Sequence, residues 1–446
     1  MPKRTLPPSL PSRGFLSRFI ELRRDPFAYF RRMAELGDVS YLKLGPQAIY
    51  VLNHPDLVRE LLVGLNADLE KGRALDRARV LLGDGLITSK EPMHGQQRRL
   101  IQPAFHRQRI QGYALFMVAQ AEKIRGQWQD GQVIDLLGQM SLLTLNIATD
   151  TLFGAEAGPE AAGLGQALND ILMEFSVISL PGGDLWRYLP TPKAYRFWRG
   201  KRRLDRYIYR MIKTRRADPG AAERSDLLTL LILAEDAEEQ RKRMSARQVR
   251  DEAMTLFVAG HETTSNALTW AWHLLAQHPE AEREIHAELD AVLGGRLPQA
   301  EDVPKLKRCE ALIAEAMRLY PPVWLLGRRA LKDIQIGGHT VPEGSILLAS
   351  QWLLHRDPRF WPEPERLDLG RWSDEAKAAR HPFAYFPFSA GPRGCIGEGF
   401  AWMEGVLLLA TLASRWRLRP FAGTAKPMPL ITLRPEAGLQ MKVEAR

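Results

Sequence analysis

"FPFSAGPRGCIGEGF", from Phe386 to Phe400, places one of the chain's two cysteines, Cys395, among four glycines and two prolines. Several roles are open to such a residue. A free cysteine often serves only as a small buried hydrophobe. It could also pair with Cys309, bind zinc, or act as a nucleophile. Zinc needs several His or Cys ligands at close spacing, and none lies nearby. A nucleophile needs a base, which folding could bring from anywhere in the chain. Two cysteines in 446 residues, without an apolar secretory leader, point to a reducing compartment and no disulfide framework.

The flanking residues narrow the choice. Gly391, Gly394, Gly397 and Gly399 remove bulk from around the thiol, and Pro392 stiffens the loop. The next stretch, "EGFAWMEGVLLLATLASRW", is almost wholly apolar and predicts a buried helix. Cys395 then lies at a helix N-terminus, where unpaired N–H groups and the macrodipole favour a thiolate. A thiolate on a loop without bulk suits a broad flat partner lying against the backbone, and a haem bound through its iron fits that description.

Composition is that of a globular protein, with 45% hydrophobic and 26% charged residues. No apolar run is long enough to cross a bilayer, and the proline-rich start, "MPKRTLPPSLPSRGF", is no signal peptide. These features predict a cytoplasmic protein with no transmembrane anchor. The net charge of +10 reflects either an arginine-rich composition or a basic face that docks an acidic protein. Basic runs such as "RGKRR" (Arg199 to Arg203) and "QRKRMSAR" sit in helical patterns without a zinc-finger or RNP signature, so no nucleic-acid partner is expected.

The patterning is mainly α with small β regions. "SYLKLG" and "AIYVLN" predict an early hairpin. Helical patterns follow near 96–128, 136–153, 162–178, 192–216, 225–236, 245–277, 279–293 and 306–319. "IQIGGHTVPEGSILLAS" predicts a second β region and "ITLRPEAGLQMKVEA" a terminal hairpin. The Pro- and Gly-rich stretches are of connector length, so a single domain over 1–446 is expected.

Three further stretches carry chemistry. "AMTLFVAGHETTSNALTWAWHLL" is an apolar helix interrupted by Gly260, Glu262, Thr263 and Thr264. Small residues beside an acid and an alcohol suit a helix that opens to admit a ligand and pass protons; an exposed polar patch is the plainer alternative. "EAMRLYPP" puts Glu315 and Arg318 on one face of an apolar helix. The same E-x-x-R spacing at Glu21/Arg24, Glu238/Arg241 and Glu363/Arg366 reads as exposed pairs. A buried pair needs further partners to offset desolvation, and Arg371 in "LDLGRW" could complete it. In "HGQQRRLIQPAF", His94 and Arg98 share a helical face and could hold a carboxylate pair, or could simply be surface residues.

Taken in order, "AGHETT", "EAMR", "LGRW" and "FSAGPRGCIG" resemble the signature set of the cytochrome P450 family, the haem-thiolate monooxygenases, in its soluble bacterial form. The family's haem loop reads F-x-x-G-x-R-x-C-x-G, and Phe388, Gly391, Arg393, Cys395 and Gly397 fill every fixed place. The resemblance implies the cytochrome P450 fold, a helical haem-sandwiching part plus a small β-rich part. It implies haem b with Cys395 as the iron ligand and O2 as co-substrate. Phe388 would pack beside the thiolate. Arg393, His94, Arg98 and Arg328 would hold the propionates. Glu262 and Thr263 would relay protons to bound dioxygen, with Ala259 and Gly260 leaving it room. Glu315, Arg318 and Arg371 would form the structural triad that supports the Cys loop. Two places depart from the family's habit. His94 stands where many members have Trp, and Leu369-Gly370 replaces the usual Pro-Glu, which leaves Arg366 of "PEPER" as a rival to Arg371.

The resemblance further implies insertion of one oxygen atom into a lipophilic substrate, by hydroxylation or epoxidation, with a fatty acid, terpenoid or carotenoid as the expected class. The expected substrate walls are 74–90, 164–200, Leu256 to Ala259, Val323 to Leu326 and Pro429 to Thr432. With no fused reductase in the chain, electrons would come from a separate ferredoxin or flavodoxin-type donor and its reductase, docking through the excess positive charge of a monomer. A peroxide-driven peroxygenase and a non-catalytic haem sensor are the alternatives.

Overall fold

The computed structural model describes residues 6–11, 14–154, 160–178, 191–224, 226–236, 242–422, 425–436 and 438–446. The helices are α1 (Phe15–Arg24), α2 (Pro26–Ala34), α3 (Pro55–Arg59), α4 (Arg73–Leu82), α5 (Met93–Ile101), α6 (Arg107–Gln127), α7 (Leu136–Phe153) and α8 (Ala161–Ile178). They continue with α9 (Pro192–Ala217), α10 (Leu227–Leu233), α11 (Ala246–Leu275), α12 (Pro279–Leu293), α13 (Lys307–Leu319), α14 (Gln351–Leu354), α15 (Asp374–Ala379) and α16 (Glu398–Ala413). The strands are β1 (Val39–Leu44), β2 (Gln47–Leu52), β3 (Leu69–Lys71), β4 (Val133–Asp135), β5 (Glu235–Asp236), β6 (Lys242–Arg243) and β7 (Leu326–Ala330). After these come β8 (Ile334–Ile336), β9 (His339–Val341), β10 (Ile346–Ala349), β11 (Trp416–Pro420), β12 (Pro427–Pro429), β13 (Leu433–Pro435) and β14 (Gln440–Ala445).

Local chemistry sets many of these boundaries. Asp25 and Thr191 each accept a hydrogen bond from the third residue of α2 and α9, and each of those helices opens on proline. Ser245 and Gln248 form a capping box at the start of α11. Gly154 ends α7 in the left-handed region, with φ 60°. The helix expected over 96–128 is interrupted: α5 stops at Ile101, and a 3-10 turn over Gln102–Phe105 precedes α6. Pro103 accounts for the break, since it lacks an N–H and its ring crowds the preceding turn. The helix expected over 225–236 is shorter, because Asp226 caps α10 and the chain leaves the helix after Leu233. The terminal hairpin is also corrected. β13 pairs with β12, whereas β14 pairs with β11 and β4 in a different sheet.

The chain forms two compact units, each from two separate stretches. The first comprises residues 1–73 and 317–395. Its sheet runs β1-β2-β10-β7-β3, with β10 parallel to β2 and every other pairing antiparallel. Tyr50 and Leu52 pack on one face with Ile336, Leu347, Ala349 and Phe386. Val51, between them, packs on the other face with Tyr29, Phe30 and Met33 of α2. Both faces are therefore committed, and a register slip of one residue would exchange them.

The second unit comprises residues 74–316 and 396–446. Its axis is α11, whose Trp270, Trp272 and Phe257 are fully buried. Helices α7, α9 and α16 pack against it, and α16 packs in turn on α6. The apolar run Val406–Leu409 of α16 is fully buried, each side chain contributing about 1.5–3 kcal/mol. Among the described residues, no helix is long and apolar enough to cross a membrane.

Candidate functional site

Cys395 and Cys309 are both free thiols; Cys309 is buried in α13, whereas Cys395 is exposed. Among the described residues, no group of three His, Cys, Asp or Glu side chains is placed to hold a metal ion. The Cys395 loop is held by its own backbone. The Cys395 N–H donates to the Phe388 carbonyl at 2.9 Å, and the Gly394 N–H donates to Gly391 at 2.9 Å. Ser389 and Gly391 turn the chain with φ of 61° and 68°. A Cβ on Gly391 would strike the carbonyl oxygen of Leu62, in the π-helical turn Glu60–Gly64. That position therefore requires glycine twice over, for its backbone angle and for its close neighbour. α16 begins three residues after Cys395, with Gly397 as its N-cap.

A buried guanidinium supports this loop from below. Arg318 donates to three carbonyls, those of His355 (3.0 Å), Pro364 (2.6 Å) and Arg366 (3.1 Å). Its guanidinium lies 5.1 Å from the centre of the Trp361 ring, and the Trp361 indole N–H donates to the Ala384 carbonyl. His355 carries the connection onward, because its Nε2 accepts the Phe386 N–H at 3.0 Å. Burial, together with the charges of Arg318 and Arg356, holds the His355 pKa well below the usual range. The ring is therefore neutral and Nε2 can accept. Arg318 thus reaches the Cys loop through a histidine that its own motif does not contain.

Glu315 is fully buried one turn before Arg318 on α13. Arg371 donates to the Glu363 carbonyl at 3.0 Å and lies 4.0 Å from Asp368. Arg366, its rival in the sequence, is exposed and pairs with the exposed Glu363 carboxylate. Of the other E-x-x-R spacings, Glu21 pairs with Arg32 rather than Arg24, and Glu238/Arg241 lies outside the described residues.

The first unit also brings two guanidiniums near one another. Arg328 is buried on β7, bonded to the Gly327 carbonyl, and its pKa is pushed down to about 10. Burial is the main cause, and the nearby Arg393 is the second. Two guanidiniums beside a loop that admits no side chain at Gly391 fit a group that is flat and carries negative charge. The residues of this unit therefore fit haem with its carboxylates.

The remaining site residues lie in the second unit. His94 is buried on α5 and meets Glu91 through Nδ1 at 2.9 Å; Arg98, one turn on, is half-buried. On α11, Leu256, Ala259, Gly260 and Thr263 are partly exposed, whereas most of the helix is buried. Their spacing of three or four places them on one stripe. A Cβ on Gly260 would meet no atom within 4 Å. The expected opening of the helix is absent: α11 runs unbroken, although three of its hydroxyls donate to carbonyls of the preceding turn, Thr263 to Ala259 at 2.6 Å, Ser265 to Glu262 at 2.9 Å and Thr269 to Ser265 at 2.7 Å. Asp251 and Glu252 accept the N–H groups of Asp84 (3.0 Å) and Leu86 (2.9 Å), which ties the expected wall at 74–90 to α11. Residues 179–190, within the expected wall at 164–200, lie outside the described residues.

Glu262 and Thr263 occupy different faces. Glu262 is buried, and its Oε1 accepts the Thr432 hydroxyl at 2.7 Å; Asn266 donates to the same hydroxyl oxygen at 3.2 Å. Burial raises the Glu262 pKa, opposed by the Thr432 bond and the Arg434 charge. Asn266 escaped the sequence reading, and Thr432 entered it only as the edge of an expected wall. A further carboxyl, Glu404 on α16, is buried against Thr264, and its pKa is raised to about 8 by desolvation.

Comparison with known proteins agrees with this geometry. The cytochrome P450 family model matches residues 6–443. Cyclooctatin synthase of Streptomyces melanosporofaciens is 39% identical over 415 residues, covering 92% of this chain and 90% of its own. Pentalenene oxygenase of Streptomyces avermitilis is 33% identical over 430 residues, covering 96% and 94%. The crystal structure of the cytochrome P450DA heme domain superposes with a TM-score of 0.88 at 28% identity, over 99% of this chain and 98% of that one. The chain therefore belongs to the cytochrome P450 family. It is a monooxygenase of the class that uses haem and dioxygen.

Two outcomes are expected from this geometry. His355→Ala leaves the Phe386 N–H without its acceptor, a loss of about 1–3 kcal/mol. The thermal midpoint should fall, and less of the reduced, carbon monoxide-bound protein should show the thiolate Soret band; a native spectrum and midpoint would contradict the link. The second concerns pH. The folded pKa of Glu404, about 8, lies above its ordinary 4.5. Its stabilising contribution is thus complete below the ordinary value and declines by about 1.4 kcal/mol per pH unit until pH passes the folded value. Glu404→Gln should flatten the fall in thermal midpoint between about pH 5.5 and about pH 8.

Proposed function

We propose that this chain hydroxylates a terpenoid, holding haem b through Cys395 and drawing electrons from a separate ferredoxin or flavodoxin-type donor and its reductase. The observation that carries the substrate class is its likeness, over more than nine-tenths of its length, to two Streptomyces terpenoid oxygenases, the pentalenene oxygenase and a cyclooctat-9-en-7-ol 5-monooxygenase that is 38% identical. The stripe on α11 supports it. Leu256, Ala259 and Gly260 offer an apolar face with room beside it, suited to a neutral hydrocarbon skeleton.

Haem bound through a thiolate supplies the activation of dioxygen, which side chains alone cannot perform. The chain's own residues do the rest. The backbone bond from Cys395 to Phe388, and the support from Arg318 through His355, fix the thiolate's place. Arg328 and Arg393 would hold the propionates, with His94 and Arg98 as further donors. The Thr263 hydroxyl, on the open stripe, is the alcohol of the proton relay. Glu262, whose pKa burial raises, is its acid, and Thr432 is the group through which a proton reaches Glu262. The net charge of +10 favours an acidic electron donor, which fits a monomeric cytoplasmic enzyme.

The substrate reading is tested by titrating ferric protein with cyclic terpene hydrocarbons and alcohols, and separately with fatty acids. Saturable spin-state shifts and hydroxylated products should come from the terpenes; shifts from fatty acids alone would defeat it. Thr263→Ala should keep the carbon monoxide spectrum while diverting most reducing equivalents to hydrogen peroxide. Tight coupling in that variant would remove the hydroxyl from the relay.

A further inference from the structure

The basic run Arg199 to Arg203 has no part in the reading above. It lies within α9, and Arg199, Arg202, Arg203, Arg206 and Arg210 recur at intervals that keep them on one side of the helix. They line a cleft of about 470 Å³ together with Glu160 and Leu164, at and near the start of α8. Tyr195 and Tyr207 contribute ring walls, and the Tyr195 ring is exposed.

Among the described residues, the lining of this cleft is strongly basic. Glu160 is the lone carboxylate among the described residues of that lining, and Arg210 engages it with both terminal nitrogens while stacking 5.3 Å from the centre of the Tyr207 ring. Among the described residues, Arg199, Arg202 and Arg206 meet no carboxylate within ion-pair distance. Arg203 lies over Gly163 of α8, where any Cβ would collide with its guanidinium. The missing side chain at 163 lets that guanidinium rest on the opposite helix. Arginines three and four residues apart on a helix are closer than the roughly 8 Å over which physiological salt screens charge. They repel one another unless a multivalent anion sits among them. Planar forked donors match phosphate oxygens, which accept them in pairs. The volume falls within the range of small-molecule sites, about 300–1,000 Å³, and a concave wall admits a soluble ligand where a flat bilayer would reach only the rim.

We propose that the α8–α9 cleft binds a soluble anion carrying two or more linked phosphate groups, such as a diphosphate ester. The site is independent of the monooxygenase reading, so either can fail alone. The test titrates haem-loaded, full-length protein with inorganic pyrophosphate by calorimetry at about 0.15 M salt. One-to-one binding is expected, weakened at least about tenfold in Arg202→Ala/Arg206→Ala and less in Arg202→Lys/Arg206→Lys, which keeps charge but loses the fork. Arg23→Ala/Arg24→Ala removes equal charge from α1 and should bind as the parent does. Carbon monoxide spectra establish that each variant is folded. Absence of saturable binding, or equal weakening in the α1 and α9 alanine variants, overturns the proposal. So does protein that sediments with vesicles of phosphatidylcholine and phosphatidic acid yet ignores soluble pyrophosphate.

Discussion

Arg318 carries a charge that is fully buried and shared among backbone oxygens. A guanidinium removed from water needs its hydrogen bonds satisfied, and this one draws in three carbonyls from residues 37 to 48 positions away in the chain. Those carbonyls belong to the segment that leads to the Cys395 loop. The ordering therefore runs outward from a buried charge, through a neutral histidine, to the backbone that presents the thiol. Removing the charge would leave three acceptors and an indole without their arrangement.

The division of labour on α11 follows from helix geometry. Neighbouring residues point about 100° apart, so Glu262 and Thr263 cannot share a direction. Burial selects the acid for the inside, where the Thr432 hydroxyl, itself bonded by Asn266, donates to it, and leaves the alcohol on the open stripe. Each residue meets the environment its chemistry needs: a carboxyl whose pKa burial raises, and a hydroxyl that can turn between the Ala259 carbonyl and a ligand.

What the sequence could disclose depended on distance along the chain. The Cys395 loop was legible because its glycines, arginine and thiol lie within ten residues, and Gly391 is demanded by a local turn. The early hairpin and most helices were legible from their periods, and the break at Pro103 carried its own signal, which a long helical pattern obscured. His355 and Thr432 were not legible as partners. They reach their sites across 37 and 170 residues, and nothing in their local sequence marks them. The terminal strands show the same limit. Leu433–Pro435 and Gln440–Ala445 both alternate as strands should, but which neighbour each joins is decided by the fold.

The separation of stripes on α11 has an evolutionary consequence. Trp270, Trp272 and Phe257 anchor the helix, while Leu256, Ala259 and Gly260 stand clear of them. Substitutions at core positions commonly cost 2–5 kcal/mol, whereas changes away from such contacts are usually within about half a kcal/mol. Lineages can thus resize the face that meets a guest molecule without endangering the scaffold. New catalytic repertoires become accessible by drift along a few tolerant positions, with no rebuilding of the framework.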